Sequence, residues 1–290
     1  MNSLIKITLI TLLFIANPLW AQPYPEGWTT PYPPFRIIGP LYGVGTLDLS
    51  VFLITTDEGH ILINTGMEES FNTIRENMDT LGYRMEDIRI LLTQQAHLDH
   101  TAALADIKAF TGARMLATEL DARMLEDGGI SDPHFGGEVM FKPVEVDQII
   151  QQGDVIVLGD VRLTVHEHPG HTEGSSSYTL VVNESGREYK VAILNMGSIN
   201  AGNKLVDEPT YPGVAKDFAY TYAVQKTMDV DVWTGAHNSH YSMQEKYTPG
   251  QPYDPDTFVD PEGLVQQVER LEAIFLEQLS EEQKLVAYPD

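Results

Sequence analysis

The sequence predicts an α/β chain folded as a four-layer αββα sandwich, two sheets face to face with helices on their outer sides. Two observations predict it. Runs rich in Val, Ile and Leu come first and helical periodicity follows, and this order occurs twice along the 290 residues, as pseudo-duplicated halves. Within the first half, strand and helix alternate from Ile88 onward, which argues for parallel pairing. A hydrophobic share of 42% gives such a chain ample core, and residues 22–290 read as one domain.

The elements follow in order. Met1 to Ala21 reads as a secretory signal: Lys6 supplies the charge, Ile7 to Ala16 the apolar core, and Pro18-Leu19-Trp20-Ala21 a cleavage site. That apolar run is shorter than the ~20 residues a bilayer span needs, so the mature chain is expected to be exported without a membrane span, to the periplasm where the source has two membranes. Residues 22–36, rich in Pro and aromatics, read as an extended surface arm. Strands are expected at Ile37-Ile38, Tyr42 to Val44, Val51 to Ile54 and His60 to Ile63, with Asp57-Glu58-Gly59 as a hairpin turn. Phe71, Ile74, Met78 and Leu81 recur at helical spacing. Ile88 to Leu92 is a buried strand, His100 to Thr111 a helix, Arg114 to Ala117 a strand and Glu119 to Leu125 a helix. The glycine-rich stretch Gly128 to Gly137 has no periodicity and is placed as a loop over the site.

The second half is expected to begin near Val144. Its strands are Val155 to Leu158, Val161 to His166, Ser177 to Val182, Tyr189 to Leu194 and Val230 to Trp233, with helices at Tyr220 to Met228 and Pro261 to Leu279.

Composition excludes several function classes. The chain has no cysteine, which removes disulfides, thiolate catalysis and Cys-zinc sites. A formal charge of −24 repels phosphate backbones and anionic membranes, so nucleic acid is not an expected partner.

The chemistry concentrates in Thr93-Gln94-Gln95-Ala96-His97-Leu98-Asp99-His100, at the carboxyl end of a strand. Two imidazoles and a carboxylate within four residues would each need a partner if buried, and that density points to metal ligation. In His168-Pro169-Gly170-His171-Thr172, Pro and Gly force a tight turn that presents His171. Another histidine, His237, follows a strand end in Gly235-Ala236-His237, and Asn64-Thr65-Gly66 closes the first meander. His60, His166 and His168 read as strand residues, and His240 as a surface residue, with an approach to the site from the loop after His237 as the alternative.

These motifs together resemble the metallo-β-lactamase superfamily over roughly Ile37 to Leu279. The family's His-x-His-x-Asp-His stands here as Gln95-Ala96-His97-Leu98-Asp99-His100. His-Pro-Gly-His matches at His171 and Gly-Ala-His at His237. Glyoxalase- and lactonase-type relatives place a bridging Asp after the next strand, and other lactamase subclasses a Cys; Asn195-Met196-Gly197-Ser198-Ile199-Asn200 has neither. That absence resembles class B, subclass 3, and Gln95 resembles its branch with Gln replacing the first His.

The resemblance implies one or two zinc ions per chain, one held by Gln95, His97 and His171, the other by Asp99, His100 and His237, the last three carrying the catalytic weight. It implies hydrolysis of the β-lactam amide of penicillins, cephalosporins and carbapenems by a metal-bound hydroxide, an activity that gives antibiotic resistance. Ser198, Asn200 and Lys204 are candidates for the substrate carboxylate. Asn64 stands where relatives have Asp, at a position that orients a ligand from behind. The chain is expected to act as a monomer on a small molecule. Two alternatives remain at this point: another hydrolase of the fold, acting on a lactone or thioester, and a non-catalytic zinc-binding homologue.

Overall fold

The structure, a computed structural model, describes residues 24–287. The segment expected to be a secretory signal lies outside the described residues, and no helix within them is long and apolar enough to cross a membrane.

Seven strands lie side by side in chain order in the first sheet: β1 (Phe35–Ile38), β2 (Leu41–Gly43), β3 (Phe52–Thr56), β4 (Gly59–Ile63), β5 (Ile88–Leu92), β6 (Arg114–Ala117) and β7 (Gln148–Ile149). The first four pair antiparallel, and β4 to β7 pair parallel. The second sheet holds β8 (Val155–Leu158), β9 (Val161–Glu167), β10 (Ser176–Glu184), β11 (Arg187–Leu194) and β12 (Val232–Gly235) in the order β12-β11-β10-β9-β8, with β11 and β12 parallel. The helices are α1 (Ser70–Leu81), α2 (Leu98–Thr101), α3 (Leu104–Thr111), α4 (Glu119–Asp127), α5 (Val214–Gln225), α6 (Met243–Lys246) and α7 (Pro261–Ala287).

Strand alternation builds the four layers. Along β3, Phe52 and Ile54 join a core shared with Leu163, Val165, Leu180 and Val191 of the second sheet, while Leu53 between them packs on the other side. That other side holds Ile74 and Met78 of α1, Leu104 and Ile107 of α3 and Leu125 of α4. A strand buried on both faces is apolar along most of its length, and β4, buried throughout, is apolar over Ile61, Leu62 and Ile63. Phe218 and Tyr222 of α5 and Leu271 and Phe275 of α7 pack into the same core as the second sheet.

The expected sandwich is therefore present, with differences at element ends. The helix expected over His100 to Thr111 is broken into α2 and α3. The His100 carbonyl, which an unbroken helix would give to residue 104, accepts instead from the Thr65 N–H at 2.8 Å and the Thr65 hydroxyl at 3.1 Å. The short β7, not among the expected strands and lying where the second half is expected to begin, is an edge strand of the first sheet. Helix α5 starts at Val214, after Gly213 in the left-handed region at φ 97°, and ends at Gln225. Its buried Thr221 and Gln225 blur the polar–apolar contrast that marks a helix in sequence. Helix α7 extends past Leu279 to Ala287 because its last turns are exposed, Leu285 being 70% accessible, and so carry no apolar stripe.

Candidate metal centre

The carboxyl ends of β4, β5, β9, β11 and β12 deliver the motif residues, and each junction has a local cause. Asn64, just past β4, adopts φ 63°, a left-handed conformation that Asn tolerates better than most residues. Its Oδ1 accepts from the Gln94 N–H at 2.9 Å and the Thr93 hydroxyl at 3.3 Å, and its Nδ2 donates to Gln94 Oε1 at 2.7 Å and Ser50 O at 3.2 Å. Asn64 thus clamps the start of the loop through Thr93 and Gln94 rather than gripping a histidine. At the second turn, Gly170 has φ 132°, and a Cβ there would meet the Phe218 ring at 2.7 Å, so only glycine fits. The Thr221 hydroxyl on α5 donates to Pro169 O at 2.6 Å and fixes that turn from behind.

Two groups of ligating atoms result. In the first, His97 Nδ1 faces His171 Nε2 at 3.2 Å. The other nitrogen of each ring has a partner: His171 Nδ1 donates to Ser198 O at 2.7 Å, and His97 Nε2 lies 3.2 Å from Asp132 Oδ2. With those N–H groups assigned outward, two lone pairs point at each other, an arrangement that calls for a cation between them. Gln95 Oε1, two residues before His97, is buried with no hydrogen-bond partner among the described residues. In the second group, Asp99 Oδ2 lies 3.2 Å from His100 Nε2 and 3.3 Å from His237 Nε2, and the ligating atoms of all three fit within 4.8 Å. Both His100 nitrogens are buried without hydrogen-bond geometry to any partner among the described residues. His237 Nδ1 reaches back to Asp48 Oδ2 at 3.1 Å, and Asp48 Oδ1 accepts from the Ser239 N–H at 3.1 Å.

The electrostatics suit a cation. Burial, reinforced by the neighbouring His97, pushes His171 down to about 3, so it is a neutral donor. Burial alone would also lower His237, yet the carboxylates of Asp48 and Asp99 on either side hold it up at about 9. Burial works against the Asp99 charge, but His100 and His237 outweigh it and keep the carboxyl well below its usual range.

Asp121, on α4 beneath the His171 turn, behaves oppositely. Burial raises it to about 6, against the Thr172 hydroxyl that donates to it at 2.9 Å. The sign follows: between pH 3.8 and about 6 the native state holds a proton that the unfolded chain has lost, so stability falls as pH rises through that window. In the metal-free chain Asp121→Asn should remove this dependence and be more stable at pH 7 by up to about 3 kcal/mol. Urea unfolding at pH 4.5 and pH 7 checks it; an equal change with pH in both proteins would refute it.

The remaining candidates sit around these groups. Ser198 Oγ is 3.1 Å from His171 Nδ1. Asn200 is half-buried and its carbonyl closes a turn with the Asn203 N–H at 3.0 Å. Lys204 is exposed, its ammonium 3.4 Å from Glu208 Oε2. His168 is buried and bonded to Ser177 and Gln225, and His60 packs against Tyr83, both structural as expected. His240 does not lie free on the surface: its ring centroid is 4.9 Å from that of His237, because the short turn Asn238–Tyr241 folds it back. The aromatic arm also reaches further than expected, with Trp28 5.8 Å from the His237 ring.

Residues 44–183 match the model of the metallo-beta-lactamase superfamily. A solved beta-lactamase from Chitinophaga pinensis superposes with a TM-score of 0.86 at 43% identity, over 89% of this chain and 97% of that one. The chain belongs to the metallo-β-lactamase superfamily. A solved class B3 di-zinc metallo-beta-lactamase, LRA-12 from an Alaskan soil metagenome, is 42% identical with a TM-score of 0.85, over 88% of this chain and 97% of that one. Curated relatives match over a shorter reach. A hydroxyacylglutathione hydrolase from Methylobacterium nodulans is 32% identical over 97 residues, 33% of this chain and 30% of that protein.

Asp48 and Asp132 carry no signal in the sequence. Asp48 meets His237 across 189 positions, and Asp132 sits in an irregular loop.

Proposed function

We propose that this chain is a zinc-dependent β-lactamase, with Gln95, His97 and His171 holding one metal ion and Asp99, His100 and His237 the other. The observation that carries the reading is the two clusters of ligating atoms, in which Gln95 Oε1 and both His100 nitrogens are buried without hydrogen-bond partners among the described residues. Zinc, when bound, supplies Lewis acidity that polarises the amide carbonyl and brings the pKa of water near 7.

The chain's own residues do the rest. His171 donates outward to Ser198 O and keeps its Nε2 lone pair inward. Asp48 fixes the orientation of His237. Asp99, ionised and partly buried beside His100 and His237, would ligate the metal there and orient the attacking water. Ser198, beside His171, would meet the substrate carboxylate, with Asn200 two residues on as a further candidate; Lys204 would first have to leave Glu208. The family's thioester and lactone hydrolases use a bridging carboxylate after β11, where this chain has Asn195 and Met196, both buried. That difference favours the lactam over the thioester.

Hydrolysis of a chromogenic cephalosporin by the zinc-loaded protein tests the reading. Turnover that a chelator stops and added zinc restores is the expected result. No turnover, with hydrolysis of an acylglutathione thioester instead, would replace the lactam by the thioester.

A further inference from the structure

The glycine-rich loop from Gly128 to Gly137 is joined to the metal centre through one side chain. Asp132, 7% exposed, divides its carboxylate between two tasks. Oδ1 accepts from the loop's own His134 and Phe135 N–H groups at 2.8 and 3.2 Å, while Oδ2 lies 3.2 Å from His97 Nε2. The Phe135 ring, placed by those bonds, stands edge-on to His97 with centroids 5.2 Å apart. At its base the loop is tied by Asp127, whose carboxylate accepts from the Gly129 and Ser131 N–H groups at 3.1 and 3.0 Å.

We propose that Asp132 is a positioning residue that couples the order of this loop to metal held by His97, so that each strengthens the other. The inference rests on the reading of His97 as a ligand. A metal ion on Nδ1 requires the proton to reside on Nε2, where it is donated to Asp132; the same carboxylate, held by that donor, keeps the loop N–H groups in place. Coupling of this kind is reciprocal: whatever metal binding does for the loop, the ordered loop does for metal affinity. The loop would then be a cover whose closure reports occupancy of the His97 side of the centre, and not of the Asp99 side.

Asp132→Asn in the full chain separates the two tasks. An amide has one accepting and one donating end, so it cannot accept from the loop N–H groups and from His97 together. Asp132→Ser, which keeps a short acceptor for the loop and cannot reach His97, is the second variant, and thermal melting without metal shows that both fold. Zinc titration against a chromophoric chelator reads the two stepwise constants, and hydrogen exchange reads residues 128–137 with and without zinc. In the unaltered chain two ions should bind and zinc should slow exchange of the loop. In both variants one constant should weaken about 10- to 100-fold while the other stays within about threefold, and loop exchange should no longer respond to zinc. Unchanged constants, both constants falling together, or loop exchange indifferent to zinc in the unaltered chain overturns the coupling alone. A chain that takes up no zinc overturns the reading of the site as well.

Discussion

Replacing Asp99 with alanine should abolish lactam hydrolysis, with kcat falling by about 10³-fold or more, equivalent to ~4 kcal/mol of transition-state stabilisation. Asp99 approaches both His100, at 3.2 Å, and His237, at 3.3 Å, so its loss removes a ligand and the group that orients the attacking water together. It also leaves His237 with a single carboxylate partner, Asp48. Because deleting a buried charge can unfold a protein, Asp99→Asn is the matched control, keeping volume and one acceptor oxygen while losing charge. Both variants should melt cooperatively and both should fail to turn over. Near-normal kcat in either, measured with zinc bound, would move the chemistry away from Asp99.

Zinc should stabilise the metal-free chain in two unequal steps. A ligand that binds only the native state at 100 times its Kd adds about 2.7 kcal/mol, roughly 5–10 °C in Tm for a domain of this size. The first equivalent should go to Asp99, His100 and His237, which offer a carboxylate and two imidazoles. The second site substitutes the neutral amide oxygen of Gln95 for an imidazole and should be weaker. Calorimetric melts at increasing zinc, repeated on His171→Ala and His237→Ala, distinguish the order: His171→Ala should retain the first step and His237→Ala should lose it. The reverse pattern would show that the Gln95 group fills first.

Much of this centre was legible because metal ligation is partly a local property. His97, Asp99 and His100 fall within four residues, and a strand that ends there must turn them toward one edge of the sheet. Pro169-Gly170 announces a turn, and the structure explains why that glycine cannot be exchanged: the Phe218 ring occupies the space of its Cβ. The expected layers were legible for a similar reason, since Phe52 to Ile54 of β3 and Ile61 to Ile63 of β4 are apolar at successive positions and must be covered on both faces. Helix limits were less so. Where α5 buries Thr221 and Gln225, or α7 runs exposed past Leu279, periodicity carries no contrast.

The sequence by itself determined the inventory of donors, their chain order and the strand ends that carry them, because those follow from residue type and from side-chain periodicity over a few positions. Only the tertiary structure decided which nitrogen of each ring faces inward. That choice belongs to Ser198 O for His171, Asp48 for His237 and Asp132 for His97, partners separated from their histidines by 27, 189 and 35 positions (132 − 97 for the last). A hydrogen bond closes at about 3 Å whatever the length of chain between its ends, so no local pattern in the sequence records it.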